Sequence, residues 1–224
     1  MSQGKFTVAV IGGTGDLGQG LVLRWARNGH RVIVGSRNVE KAEETAKQAN
    51  ARLGSGFVSG GSNEAAARAA DIIVLTVPYD HHAATLQVLR VALQGKIVID
   101  VTVPLRPPKV RTVQLPQAGS AAKEAQDALG ENVRVVSAFQ NVAASHLQDL
   151  DHVIDCDVLV CGNDASACEI VIGLARDAGM KAWHAGRIEN SAIAEALTSG
   201  LIFMNAKYKI DGAGIRITGA VKSV

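Results

Sequence analysis

The chain has 224 residues, enough for one large α/β unit and a small second one. With 47% hydrophobic and 20% charged residues it is not a disordered chain, and a net charge of +2 gives no ground for nucleic-acid or anionic-membrane binding. Aromatics make up only 4%, so the apolar content is Ala, Val, Ile and Leu, which suits buried parallel strands under Ala-rich helices. No apolar run approaches the roughly 18 to 20 residues of a membrane span. Residues 1–5 read as leading straight into a strand, with no signal peptide. Cys156, Cys161 and Cys168 are odd in number and lack CxxC spacing, so they read as reduced thiols of a cytoplasmic protein.

Strand and helix patterns alternate from the start. Residues 6–11 form an apolar run that ends in glycines, the mark of a buried strand. Residues 18–28 carry Leu21, Val22 and Trp25 at helical spacing, and residues 31–34 predict a second strand. A helix with a charged outer face follows over 39–50, then a short strand around Phe57 and Val58. Asn63 reads as the cap of a short Ala-rich helix. Residues 72–77 form a fourth strand stopped by Pro78, after which Asp80 reads as the next helix cap. A fifth strand over 97–103 is followed by a Pro-rich loop, 105–118, long enough to suggest a function. A helix near 121–129 and a sixth strand over 133–139 complete a doubly wound unit. Beyond a short helical link at 142–151 come a strand (158–161), a helix (165–178), a strand (181–184) and a long helix (189–207). The Gly-rich tail from Tyr208 reads as an extended segment. The expected fold is α/β: a Rossmann-type doubly wound parallel sheet over residues 1–144, with a small C-terminal α/β unit over 145–224.

Between the first strand and first helix lies Gly12-Gly13-Thr14-Gly15-Asp16-Leu17-Gly18. It satisfies both GxGxxG and GxxGxxG spacing. Glycines there permit a tight turn and bring backbone N–H groups onto a pyrophosphate at the helix N-terminus. A glycine motif alone is weak, but here the strand, helix and N-terminal position all agree. The second strand ends in Gly35-Ser36-Arg37, without the acid that would hold both hydroxyls of an NAD ribose. Arg37 suits a 2′-phosphate, Ser36 can donate to it, and Lys41 lies one helical turn on. The expected cofactor is therefore NADP(H).

Proton-transfer groups are hard to find. Tyr79 and Tyr208 are followed four residues on by Ala83 and Gly212, so no Tyr-xxx-Lys pair exists. Asp80-His81-His82 reads as a cap with two exposed imidazoles rather than an acid–base or metal cluster, and no metal site is expected. Lys96, Asp100 and Gln140 lie at or near strands with no evident partners. A dinucleotide site without acid–base residues suits an enzyme whose second substrate itself accepts hydride. It equally suits a sensor that binds NADP(H) without turnover.

These segments, together with Val74-Leu75-Thr76-Val77-Pro78-Tyr79, resemble the coenzyme F420-dependent NADP oxidoreductases. The resemblance continues through Val135-Val136-Ser137-Ala138-Phe139, Val158-Leu159-Val160-Cys161-Gly162, Asn190-Ser191, Glu195-Ala196-Leu197-Thr198 and Gly214-Ile215-Arg216-Ile217-Thr218-Gly219, covering nearly the full length. It implies direct hydride transfer between nicotinamide and a deazaflavin, with coenzyme F420 as co-substrate, and a homodimer. It also implies that Thr14 to Leu17, Ser36, Arg37 and Lys41 hold the phosphates of NADP, that Tyr79, Val103 and Ala144 line the path to nicotinamide, and that Thr198 lies near the deazaflavin; Gly12, Gly13, Gly18, Val77 and Pro78 complete the expected cofactor-binding set. Tyr79 and Gln140 stand where relatives carry Trp and His, and Ala196 stands in place of a hydroxyl residue. The alternatives are another NADP-dependent reductase of the 6-phosphogluconate-like group, or a non-enzymatic NADP(H) sensor. The former usually carries a longer all-helical C-terminal domain.

Overall fold

The computed structural model describes residues 4–220. Residues 1–3 of the expected leading segment and 221–224 of the tail lie outside the described residues. Eight strands form one sheet: β1 (Thr7–Ile11), β2 (Arg31–Ser36), β3 (Val58–Ser62), β4 (Ile72–Leu75), β5 (Ile97–Asp100), β6 (Arg134–Ser137), β7 (Val158–Gly162) and β8 (Ala182–Gly186), in the order β3-β2-β1-β4-β5-β6-β7-β8. Every pairing is parallel except β6 with β7. β1 and β4 are buried along nearly their whole length, as expected of central parallel strands covered on both faces. Residues beyond 144 extend this same sheet through β7 and β8.

Helices cover both faces. On one side, α1 (Asp16–Arg27), α2 (Val39–Leu53) and α7 (Ala165–Asp177) pack over Val8, Val10, Val34, Val74 and Ile99. On the other, α3 (Asn63–Ala69), α4 (Tyr79–Leu89) and α5 (Ala121–Leu129) pack over Ala9, Ile11, Ile73, Leu75 and Val98. The short α6 (Ala144–Gln148) lies against α1, and the long α8 (Ser191–Tyr208) follows a 3₁₀ turn, Ile188–Asn190. α1 ties the N-terminal part of the sheet to residues 146–178. The buried Arg24 guanidinium donates to the carbonyls of His146, Leu147, Asp149, His152 and Ala178, and Trp25 Nε1 donates to Leu174 O at 2.9 Å. The tail is extended, with Ile215 O accepting from Asp157 N at 2.7 Å. None of the described helices is long and apolar enough to cross a membrane.

Three local expectations are corrected. The α3 cap is Ser62, whose Oγ accepts from Ala65 N, so Asn63 is released from that task. Pro78, not Asp80, is the residue before α4, because the chain turns helical directly after the proline and Asp80 falls in the first turn. His82 is not an exposed imidazole. One residue further along α4 than His81, it rotates onto the sheet-facing side and is only 2% exposed.

Candidate functional site

β1 pairs with β2 on one side and β4 on the other, so chain connections leave it in opposite directions and a crevice opens beyond the strand ends. The glycine loop fills the near end of that crevice. Gly12 sits at φ 79°, and a Cβ there would lie 3.0 Å from Val77 Cγ1. A Cβ on Gly18 would approach Gly13 Cα to 2.7 Å, so only glycine lets α1 start this close to the turn. α1 begins after Gly15 with no side chain capping it. Its first N–H groups therefore remain available to an anion, which the helix dipole also favours.

A cavity of about 920 Å³ runs from this loop along the strand ends, large for a small-molecule site. It brings together Gly12, Thr14, Gly15, Asp16, Leu17, Ser36, Arg37, Val77, Pro78, Tyr79, Val103, Ala144 and Thr198 from the expected set. Gly13, Gly18 and Lys41 do not line it. The two glycines form the packed underside of the loop, while Lys41 stands exposed in the first turn of α2, its N–H bound by Asn38 Oδ1. Arg37 is exposed and has no ion pair or hydrogen bond among the described residues, so its guanidinium is available to a ligand.

The walls hold unpaired polar atoms and a left-handed turn that the sequence does not show. Buried side-chain atoms without a partner among the described residues are Ser55 Oγ, Asn63 Oδ1, Thr102 Oγ1 and Gln140 Oε1, and all but the first belong to cavity-lining residues. An unpaired buried polar atom is costly, so a ligand that pairs these atoms is favoured. Asn63 stands beside Gly35, on the Ser36–Arg37 side. Phe139, also on the wall, takes φ 71°, a left-handed conformation that costs a non-glycine residue on the order of 1 kcal/mol. Its ring is held edge-on against Trp25 at 5.8 Å between centroids. The turn carries the chain into Gln140, whose Nε2 donates to Asp100 O at 2.8 Å and Ser137 Oγ at 2.9 Å. Thr198 reaches the cavity from α8, 3.1 Å from the Gln140 carbonyl oxygen, and accepts from Asn141 Nδ2 at 3.0 Å.

All three groups left unpartnered by the sequence find partners across the fold. Asp100 accepts from Thr102 N at 2.9 Å and pairs with His82, and Gln140 binds the Asp100 carbonyl. Lys96 caps the end of α3, donating to Ala67, Ala70 and Arg68 carbonyls. Beyond His82, Glu195 of α8 accepts from Ala121 N and Ala122 N at 2.7 and 3.1 Å. Burial pushes its carboxyl up to about 8, against the pull of those two amides. Burial alone lowers His82, but the charge and hydrogen bond of Asp100, aided by Glu124 and Glu195, raise it above the ordinary histidine range. Neither His82 nor Glu195 lines the cavity, whereas Asp80 and His81 do. Burial also raises the Tyr79 phenol, which donates to Glu124 Oε2 at 3.0 Å. Among the described residues no group of His, Cys, Asp and Glu has the arrangement of a metal site.

The geometry thus fits a dinucleotide with an anion at the glycine loop and a phosphate at Ser36–Arg37. The same cavity continues past β5 to an apolar wall of Val77, Val101, Val103, Leu105 and Val142. Comparison with known proteins agrees. Residues 7–104 match the family model described as NADP oxidoreductase, coenzyme F420-dependent. The F420-dependent NADP reductase of Methanocaldococcus jannaschii is 45% identical over 219 residues, spanning 94% of this chain and 97% of that protein. The enzyme of the same description from Methanothermobacter thermautotrophicus is 39% identical over 218 residues, 94% of each chain. A solved structure from Arthrobacter sp. FB24 superposes with a TM-score of 0.79 over 96% of this chain and 100% of its own, at 23% identity, which shows a shared fold. The chain belongs to the family of coenzyme F420-dependent NADP oxidoreductases.

Proposed function

We propose that the protein transfers hydride directly between NADP(H) and the deazaflavin coenzyme F420. The observation that carries this reading is the single cavity that joins the glycine loop and Arg37 to Thr198 of α8, with mostly apolar walls between them. When bound, the two coenzymes supply the chemistry themselves, one ring giving the hydride and the other taking it. The residues bind, align and dry the rings. Backbone N–H groups at the start of α1 hold the pyrophosphate, and Ser36 and Arg37 take the 2′-phosphate. Val77, Pro78, Tyr79, Val103 and Ala144 shape the path to the nicotinamide, and Thr198 closes the deazaflavin end. Small and β-branched walls let two flat rings approach to roughly 3 to 3.5 Å, the separation at which transfer proceeds. No positioned acid or base is required for that step, so His81 on the cavity wall binds rather than reacts.

In this reading residues 1–144 bind NADP and residues 145–224 form a small unit that closes the deazaflavin site. The exposed apolar side chains of Ile193, Phe203, Tyr208, Ile210 and Ile217 support a symmetric homodimer built on that unit. The three cysteines, all buried free thiols, accord with a cytoplasmic setting. Mixing the protein with NADPH and oxidised F420 tests the activity. Loss of deazaflavin absorbance is expected, and its persistence in the presence of bound NADPH argues for a sensor. Sedimentation at micromolar concentration tests the dimer, which a single species at monomer mass contradicts.

A further inference from the structure

Residues 101–122 contain Arg106, Lys109 and Arg111 and not one acid. The segment leaves β5 and crosses the far end of the cavity before α5 begins. Leu105, Pro107 and Val110 line the cavity, and the three cations are interleaved with them. All three are exposed, and none has an ion-pair partner among the described residues. Arg106 lies over the Tyr79 ring, 5.4 Å from its centroid. The backbone is pinned, so the cations cannot easily spread apart. Lys109 N donates to Arg106 O and Thr112 N to Lys109 O, both at 3.0 Å, and Gln114 Nε2 reaches the same two carbonyls. Ser199 of α8 tethers Thr112 O at 3.4 Å. The acids at this end are Asp80, in the first turn of α4, and Glu124, which the Tyr79 hydroxyl occupies.

Three like charges within six residues repel one another, and a polyanion relieves that repulsion. The NADP phosphates are assigned elsewhere. Their groups lie at β1 and β2, while this loop follows β5. The order β2-β1-β4-β5 separates the two by about 14 Å at roughly 4.8 Å per strand. We propose that the 105–111 loop is the docking site for the anionic tail of the deazaflavin co-substrate. Lys109 and Arg111 pair with its phosphodiester and glutamyl carboxylates, and Arg106, fixed on Tyr79, borders the ring. This rests on the hydride-transfer reading above. Arginine and lysine suit the two anion types, the former by its fork and the latter as a mobile point charge.

The test compares two deazaflavins in NADPH-dependent reduction: the complete coenzyme, and the same ring system cut back to its ribityl group, without phosphate or glutamate. Wild-type protein should favour the complete coenzyme by about tenfold or more in kcat/KM, mainly through KM, with the preference shrinking as salt rises. A Lys109→Gln/Arg111→Gln double variant, which leaves the Arg106–Tyr79 contact intact, should reduce that ratio by about tenfold, the scale of a lost charge-assisted hydrogen bond. Its KM for NADPH should stay within about twofold of wild type, since no dinucleotide phosphate reaches this loop. An unchanged ratio overturns the tail site, and a parallel loss of NADPH affinity does so by assigning the loop to the dinucleotide. Equal kcat/KM for both deazaflavins in wild type removes the tail site alone. Turnover of neither overturns the hydride-transfer reading and this inference with it.

Discussion

His82 Nε2 lies 2.7 Å from Asp100 Oδ2, and both side chains are sealed from solvent. The pair ties α4 to the end of β5 just behind the cavity floor. Asp100 also receives Thr102 N and, through its carbonyl, Gln140 Nε2. Removing the imidazole strands a carboxylate in the core. His82→Ala should cost about 3 to 5 kcal/mol of stability, the range for breaking a buried pair. Denaturant unfolding at neutral pH checks this, and a loss below about 1 kcal/mol would show that Asp100 does not depend on His82.

Glu195 predicts a pH dependence. Burial raises its carboxyl from 4.5 to about 8, so the folded chain holds a proton that the unfolded chain releases. The associated stability is complete below about 4.5 and is lost as pH rises toward about 8. His82, also raised, acts in the same direction, its contribution fading as pH climbs above the ordinary histidine range. Both proteins should be compared by unfolding at acidic and mildly alkaline pH. Glu195→Gln should flatten the decline with rising pH, and parallel curves for variant and wild type would exclude Glu195 as its source.

Arg37 is free of internal partners at the end of β2, so its replacement costs the fold little. Arg37→Ala should weaken NADPH binding by roughly 1 to 3 kcal/mol and leave NADH binding nearly unchanged. Titrating both nucleotides against the variant separates the cases. An equal loss for the two assigns the arginine to adenine or to the pyrophosphate rather than to the 2′-phosphate.

His81 faces the cavity and is the imidazole whose loss does not break the core. With hydride passing ring to ring, His81→Ala should keep the single-turnover rate within a few-fold of wild type. A positioned general acid or base contributes about 10² to 10⁴-fold. A drop of that size with NADPH affinity intact makes His81 part of the chemistry.

The near end of the site was legible because its signals are local. Gly12 to Gly18 declare a turn between a strand and a helix, and Ser36-Arg37 is found by following the next strand to its end. At the far end Val103, Ala144 and Thr198 were reached only through the family resemblance, and the buried polar network behind the cavity was not legible, because its contacts are long-range. His82 meets Asp100 across 18 residues, and Glu195 meets Ala121 across 74. Helical spacing showed which residues α4 carries, but its low amphipathic contrast did not show that His82 faces inward while His81 does not. Asparagine favours a helix cap, so the sequence points to Asn63, yet the neighbouring Ser62 takes that position. The left-handed turn at Phe139 has no sequence signal, since phenylalanine rarely adopts that conformation and here Trp25 and the surrounding core hold it.

The central claim is that hydride passes directly from one ring to the other. It is tested by supplying NADPH carrying deuterium at C4, on each face in turn, with oxidised F420 in ordinary water, and locating the label by mass spectrometry and NMR. The account predicts one deuterium on C5 of the reduced deazaflavin from one labelled face and none from the other. Loss of the label to water from both faces, or reduction that bypasses C5, would contradict it.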